Sequence, residues 1–283
     1  WATLALGLAA VAGSPIMLRL ASDASPLALS FWRCGAGALV LAPFAARRVR
    51  ATPARDLLLP SVAGVFLAVH FATWITSLQL TTVAASVLLV STTPIFVALA
   101  ARLLLKERMP RLGWAGILLA VGGAAVVGGA DLGGSSLVGN ALALIGGATA
   151  GGYVLAGGVS RQTLGILEYA VVTYAVAATL LLIACVLGQD PLWGYPTQTW
   201  GYIALIIIGP QLLGHTVVNF VLGDIDATTV SVALMVEPVI ATGLAYLVFE
   251  ELPSATVYPG GVAILLGIYL VTLVRRQPAV MPE

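Results

Sequence analysis

Apolar runs of about 20 residues recur along the whole chain and constrain its fold more than any other feature. A helical run of that length crosses the hydrocarbon core of a bilayer. Short breaks rich in proline, glycine and polar residues separate the runs, and the pattern predicts ten spans: 1–18, 27–45, 57–78, 82–105, 112–129, 136–158, 166–187, 200–222, 227–249 and 256–274. A membrane β-barrel would need alternating strands of about ten residues instead. We therefore predict an all-α membrane protein with ten transmembrane helices.

The composition agrees with this class and excludes others. Of the 283 residues, 60% are hydrophobic and 9% are charged, whereas a soluble domain carries about 25% charged residues. A net charge of +1 supplies no basic field for nucleic acid. Cys34 and Cys185 both lie in apolar runs, where a thiol behaves as a small hydrophobe. We expect membrane lipids and a small-molecule substrate as partners, and neither a cofactor nor a metal site.

The basic residues predict the orientation, because Lys and Arg beside spans are retained in the cytoplasm. The ten-span arrangement collects on one face Arg47, Arg48, Arg50, Arg55, Lys106, Arg108, Arg111, Arg161, Arg275 and Arg276. Arg19 lies in a loop on the other face. Both termini are therefore expected in the cytoplasm.

The chain also repeats itself. A shift of 144 residues places five residues of the first half on identical residues of the second: Pro94 on Pro238, Leu103 on Leu247, Glu107 on Glu251, Gly116 on Gly260 and Gly123 on Gly267. Each half holds five spans, an odd number, so the second half must cross the membrane in the opposite sense. We predict one repeat over 1–130, an inverted repeat over 136–274, and a cytoplasmic tail over 275–283. Inverted repeats place a substrate site near the midplane between the halves and permit alternating access.

Two aligned segments carry the most specific motif. Thr92-Thr93-Pro94-Ile95-Phe96 leads to Leu105-Lys106-Glu107-Arg108, and Val236-Glu237-Pro238-Val239 leads to Phe249-Glu250-Glu251-Leu252. Weaker matches are Gly13-Ser14-Pro15, Phe31-Trp32-Arg33 and Gly151-Gly152-Tyr153. With these motifs, nearly the whole chain resembles the EamA-type members of the drug/metabolite transporter superfamily.

The resemblance implies ten helices and the export or exchange of small metabolites, and amino-acid exporters are prominent among similar proteins. It also implies a bacterial inner-membrane location. The motif itself points to structural or gating roles for Pro94, Pro238, Glu107 and Glu251. The double acid Glu250-Glu251 departs from the usual ending of the motif, so the role of Glu251 is harder to carry over.

Polar residues inside the spans are candidates for the substrate site, because such groups are costly in hydrocarbon and face the bundle interior. His70 and Trp74 are four residues apart, and so are Gln211, His215 and Asn219. Side chains at this spacing share one face of a helix. We predict that the two stripes line a cavity and bind solute. The alternative is that each histidine only bonds a neighbouring helix.

Glu237 is the carboxylate placed deepest in a span, and its repeat partner is Thr93. Each directly precedes an aligned proline, Pro238 or Pro94, and a proline frees a backbone carbonyl. We therefore expect a bend at both positions. Glu237 is a candidate for binding a substrate ammonium or a coupling proton; the alternative is a protonated glutamate bonded across helices.

Arg33 and Tyr153 complete the candidate site. Arg33 lies in the outer part of the second span and could hold a substrate carboxylate with two parallel hydrogen bonds. Alternatively, it extends to the outer interface or pairs with Asp23. Tyr153 lies in the glycine-rich sixth span, where packing is its other role, and we rank it below His70 and Trp74.

We predict an exporter or exchanger of small metabolites, with neutral or aromatic amino acids as the first expectation. The runner-up is an exporter of lipophilic cations or drugs with Glu237 as the counter-charge, and a more distant alternative is an intramembrane enzyme. The sequence contains no H-E-x-x-H, no Gly-x-Ser-x-Gly and no Walker A motif, so it indicates neither catalytic residues nor an ATP-binding site.

Overall fold

The computed structural model describes residues 1–81, 83–127, 136–250 and 255–275, and every regular element in these ranges is helical. The α-helices are α1 (Ala2–Ala12), α2 (Ser14–Leu20), α3 (Pro26–Ala51), α4 (Ala54–Leu80), α5 (Val83–Val90), α6 (Thr93–Leu104), α7 (Arg111–Val127), α8 (Leu137–Ser160), α9 (Ile166–Gly188), α10 (Thr197–Ile206), α11 (Thr216–Val221), α12 (Ala227–Ala233), α13 (Glu237–Phe249) and α14 (Val257–Arg275). A π-helix, Ile207–His215, joins α10 to α11, and one 3₁₀ turn, Leu234–Val236, joins α12 to α13.

Many of these helices are long and apolar enough to cross a membrane. Among the described residues, seven segments meet this condition: Ala2–Leu20, Pro26–Ala51, Ala54–Leu80, Leu137–Ser160, Ile166–Gly188, Thr197–Val221 and Ala227–Val248. Three apolar helices of 10–17 residues are shorter: Thr93–Leu104, Arg111–Val126 and Tyr258–Val274. The prediction of an all-α protein is confirmed, and the number of ten spans stays a prediction.

Equivalent helices of the two halves pack on each other. Helix α3 contacts α9, and α7 contacts α14. In each pair the second helix lies about 144 residues after the first. The two halves therefore meet along matching surfaces, as the internal repeat requires.

The α7–α14 contact fixes the relative direction of the two halves. A Cβ atom built on Gly116 would lie 2.9 Å from the Gly267 carbonyl oxygen, and one built on Gly123 would lie 2.7 Å from that of Gly260. Moving forward along α7 thus means moving backward along α14. The equivalent helices run antiparallel, which is the relation that an inverted repeat needs.

The aligned motif also ends in the same way in both halves. Lys106, after α6, has a φ of 58°, and Glu250, after α13, has a φ of 57°. These two residues are themselves 144 positions apart. A left-handed residue after a helix is a common way to terminate it. Glu250 therefore repeats the turn of Lys106, while Glu251 lies outside the described residues.

Long-range contacts tie the helix ends into two opposite faces. Arg48 lies 3.9 Å from the Glu168 carboxylate, which joins the end of α3 to the start of α9. At the other face the Thr199 hydroxyl donates to Asp23 over 2.6 Å. In both contacts, the helix ends that meet are ones that the ten-span arrangement places on the same side of the membrane.

Candidate functional site

Interruptions of four helices bring polar backbone and side chains to the middle of the bundle. Helix α1 gives way to α2 at Gly13, and α5 to α6 at Ser91 and Thr92. The 3₁₀ turn precedes Glu237, and the π-helix includes Pro210. Proline removes a backbone donor, and π-helical segments are frequent at functional sites. An interruption of the α-helix thus precedes both Pro94 and Pro238, where the sequence predicts bends.

A cavity lies among these interruptions and encloses about 770 Å³, its open mouth included. Its lining is largely apolar, with side chains such as Val11, Val90, Leu234 and Met235. The polar lining residues are Ser14, His70, Trp74, Ser91, Thr93, Tyr153, His215, Ser231 and Glu237. An apolar cavity with a few converging polar groups is typical of a small-molecule site.

Five of the eight predicted substrate-binding residues line this cavity: His70, Trp74, Tyr153, His215 and Glu237. The other three are Arg33, Gln211 and Asn219, which are buried behind its wall. The described residues bring together no group of three His, Cys, Asp or Glu side chains that could hold a metal ion.

His70 and Trp74 form one wall. The two rings are parallel within 6°, with centroids 5.6 Å apart. His70 Nδ1 lies 2.9 Å from the Gly146 carbonyl oxygen, and because a carbonyl only accepts, Nδ1 carries the proton and Nε2 is left as an acceptor. Trp74 Nε1 is buried without a hydrogen-bond partner among the described residues. This wall therefore offers one acceptor and one donor beside a flat apolar surface.

His215 and Tyr153 come from the second half. The His215 ring meets the edge of Phe71 at 5.3 Å and lies 6.0 Å from the Tyr153 ring. The Tyr153 hydroxyl accepts a hydrogen bond from the Asn219 side-chain amide. The prediction that Asn219 lines the cavity is wrong: it lies behind Tyr153 and holds the tyrosine in place.

Arg33 is neither at the outer interface nor paired with Asp23, so both structural alternatives for it are wrong. It is 1% exposed. Its Nε donates to Gln211 Oε1 over 2.9 Å, and the guanidinium carbon lies 4.0 Å from the centroid of Phe71. Gln211 therefore positions Arg33 and does not line the cavity. Asp23 accepts from Thr199 instead.

The Glu237 carboxylate makes no hydrogen bond or ion pair with another described residue, and Glu237 is part of the cavity wall. The equivalent Thr93 also lines the cavity, but its hydroxyl donates to the carbonyl oxygens of Val90 at 2.7 Å and Gly147 at 3.0 Å. The alternative of a glutamate bonded across helices is wrong for the described residues.

Of the four residues with predicted structural or gating roles, the structure describes Pro94, Pro238 and Glu107. Pro94 lines the cavity, and Pro238 follows Glu237 in the first turn of α13. Glu107 lies in the turn after α6, where its amide donates to the Ala101 carbonyl over 3.2 Å. Glu251 lies outside the described residues.

The sequence analysis did not assign Ser14, Ser91 or Ser231 to the site, although all three line the cavity. Serine is common in packed membrane helices, so its presence in an apolar run carries little information. Ser14 and Ser91 stand next to helix interruptions, and nearby prolines are the one sequence signal that could have indicated them.

Comparison with known proteins agrees with this architecture. The model of the EamA-like transporter family matches residues 1–129 and, a second time, residues 137–273. One solved crystal structure superposes with a TM-score of 0.80 at 20% sequence identity, over 97% of this chain and 98% of the other. At that identity the likeness shows the fold alone. No curated protein matches the sequence.

Proposed function

The chain belongs to the EamA-like transporter family, and on that premise we propose that it exports or exchanges small metabolites across the bacterial inner membrane. Family membership makes it a multi-pass membrane transporter. Neutral or aromatic amino acids are the substrates we propose first, moved by alternating access between the two halves. No catalytic role is assigned to any residue, and no ATP-binding site in this chain is proposed.

The observation that carries the proposal is the composition of the cavity wall. Glu237 is the one Asp, Glu, Lys or Arg among its described lining residues, and the aromatic residues Trp74 and Tyr153 line the same cavity. A carboxylate without a partner attracts an ammonium group, and aromatic rings suit an apolar side chain. A phosphorylated substrate would call for lysine or arginine in the wall.

Uptake into liposomes that contain the purified protein tests the proposal. A labelled panel of neutral, aromatic, acidic and basic amino acids is supplied with and without a pH gradient. We expect saturable uptake of neutral or aromatic members, and dependence on the gradient would assign proton coupling. A panel without any transported member would contradict the proposed substrate class.

A lipophilic cation or drug is the second candidate, favoured by the same lone Glu237 carboxylate in an apolar wall. Such a substrate needs a counter-charge and no carboxylate-binding group. A fluorescent monovalent aromatic cation added to the same liposomes separates the two candidates. Its transport in place of every amino acid would favour the second.

We also propose that the three shorter apolar helices complete ten spans, with both termini in the cytoplasm. Ala51→Cys and Thr197→Cys test the orientation, since both positions are exposed and the native Cys34 and Cys185 are buried. An impermeant thiol reagent added to intact cells should label Thr197→Cys. Labelling of Ala51→Cys in its place would overturn the orientation.

A further inference from the structure

We propose that Ser14 and Arg33 form a carboxylate subsite beside the cavity, so that together with Glu237 the site selects molecules carrying both an ammonium and a carboxylate group. This inference rests on the proposed function and specifies its substrate class as α-amino acids. Ser14 is the specificity-determining residue, because it stands between the buried guanidinium and the cavity.

Arg33 supplies the positive charge. It is buried in the bundle, and its Nη2 has no hydrogen-bond partner among the described residues. Its Nε is occupied by Gln211, a neutral group that leaves the charge unbalanced. A buried charge is costly unless it is paired and hydrogen-bonded. An anion that reached Nη2 would remove both deficits.

Ser14 connects Arg33 to the cavity. Arg33 Nη1 donates to the Ser14 hydroxyl over 3.4 Å, a long distance for a hydrogen bond, and Ser14 is part of the cavity wall. Because the Ser14 oxygen accepts from Arg33, its own hydrogen can be donated to a carboxylate. The residue also follows Gly13 at the interruption between α1 and α2, where it begins α2.

Glu237 supplies the opposite charge, and its carboxylate makes no hydrogen bond to another described residue. The two charges flank one apolar cavity and do not form an ion pair. A zwitterion satisfies both: its ammonium binds Glu237, and its carboxylate accepts from Ser14 and then from the unpartnered nitrogen of Arg33. A monocation would satisfy Glu237 alone.

Three ligands that share one side chain test the subsite: phenylalanine, phenethylamine without the carboxylate, and 3-phenylpropionate without the amine. Binding to the purified protein in lipid nanodiscs is measured by calorimetry. We expect phenylalanine to bind at least about tenfold more tightly than either analogue. Each lost charge-assisted hydrogen bond should cost about tenfold to a hundredfold in affinity.

The variants separate the subsite from a general effect on the cavity. Ser14→Ala should weaken phenylalanine about tenfold without changing phenethylamine affinity, and Arg33→Gln should weaken phenylalanine about a hundredfold without weakening phenethylamine. Ser30→Ala is the matched control, since this buried serine of α3 donates within its own helix to Pro26 and should change neither ligand. Arg33→Lys, which retains the charge, should recover part of the affinity.

Equal binding of phenylalanine and phenethylamine by the parent protein would overturn the subsite. So would an equal loss of both ligands in Ser14→Ala, a variant that retains the charge of Arg33 and provides the test if Arg33→Gln does not fold. If phenylalanine is transported but these variants show no selectivity, the subsite fails and the proposed function stands. If none of the three ligands binds or is transported, the amino-acid function fails and the subsite with it.

Discussion

The two helix interruptions at the centre of the bundle have the same position in the repeat and different chemistry. In the first half, the Thr93 hydroxyl is satisfied by the carbonyl oxygens of Val90 and Gly147. In the second half, Glu237 stands at the same place, 144 residues later, and its carboxylate makes no hydrogen bond to another described residue. The Thr93 hydroxyl is thus satisfied by backbone carbonyl groups, whereas the Glu237 carboxylate has no hydrogen-bond partner among the described residues.

The two halves are therefore similar in their scaffold and different in the residues of the candidate site. The repeat mates of Arg33 and Ser14 are Ala177 and Gly158, which carry no polar side-chain atom. The charged groups of the cavity region thus have no counterparts in the other half. Equivalent substitutions in the two halves should differ greatly at the site and little in the scaffold.

The largest effect is expected at the two interruptions themselves. Glu237→Gln retains the shape of the side chain but removes the charge, and amino-acid uptake should fall about a hundredfold. Thr93→Val is the matched change in the other half, and it should leave uptake within about threefold because the hydroxyl serves packing only. Uptake by both variants is measured at equal protein density in liposomes. Similar losses in both would contradict the asymmetry.

A variant that exchanges residues 93 and 237 tests the same difference between the two halves. The double variant Thr93→Glu, Glu237→Thr moves the carboxylate to the equivalent position of the first half. We expect it to remain inactive, because Arg33 and Ser14 have no counterparts that would complete the site from there. Restored uptake would show that the two halves of the cavity are interchangeable.

A smaller loss is expected at the aromatic wall. His70→Ala with Trp74→Ala removes an acceptor, a donor and a flat surface from the cavity, and solute affinity should fall about tenfold to a hundredfold. Phe44→Ala is the control, because this exposed side chain of α3 lies away from the cavity. A double variant that is monodisperse in detergent and transports at the parent rate would show that the wall is a packing seam.

Sequence reasoning identified the scaffold because its signals are local or periodic. Hydropathy gives the helices, and the 144-residue shift gives the glycines that meet between α7 and α14. The aligned prolines give the bends. These features need no knowledge of neighbouring helices, since each follows from the chain alone.

The site was only partly predictable, for two physical reasons. Gln211 and His215 were expected on one face at the α-helical spacing of four, but they lie in a π-helix, whose wider turn changes which side chains share a face. Arg33 lies near the start of α3, where an interface position and pairing with Asp23 are both reasonable. Its burial over Phe71 depends on helices that are far away in sequence, and no local sequence pattern predicts such a contact.

At the contact between α7 and α14, in contrast to the site, equivalent substitutions in the two halves should have similar effects on stability. A Cβ atom on Gly123 would lie 2.7 Å from the Gly260 carbonyl oxygen, and one on its repeat mate Gly267 would lie 2.5 Å from that of Gly116. Gly123→Ala and Gly267→Ala should each destabilise the protein by about 1–3 kcal/mol through overpacking. Gly122→Ala is the control, since a Cβ there meets nothing within 4 Å. Thermal unfolding in detergent measures all three, and unequal losses would contradict the antiparallel symmetry.

The smallest effect is expected at the turns after α6 and α13. Lys106 and Glu250 both have a left-handed backbone, which costs an L-residue with a Cβ about 1–2 kcal/mol and costs glycine nothing. Glycine loses more entropy on folding, by about 0.5–1 kcal/mol, so Lys106→Gly and Glu250→Gly should each stabilise the protein by about 0.5–1 kcal/mol. Lys106→Ala and Glu250→Ala remove the same charges without the conformational freedom and should not stabilise it. A gain in stability at one turn but not at the other would show that the two copies of the motif differ in structure as well as in chemistry.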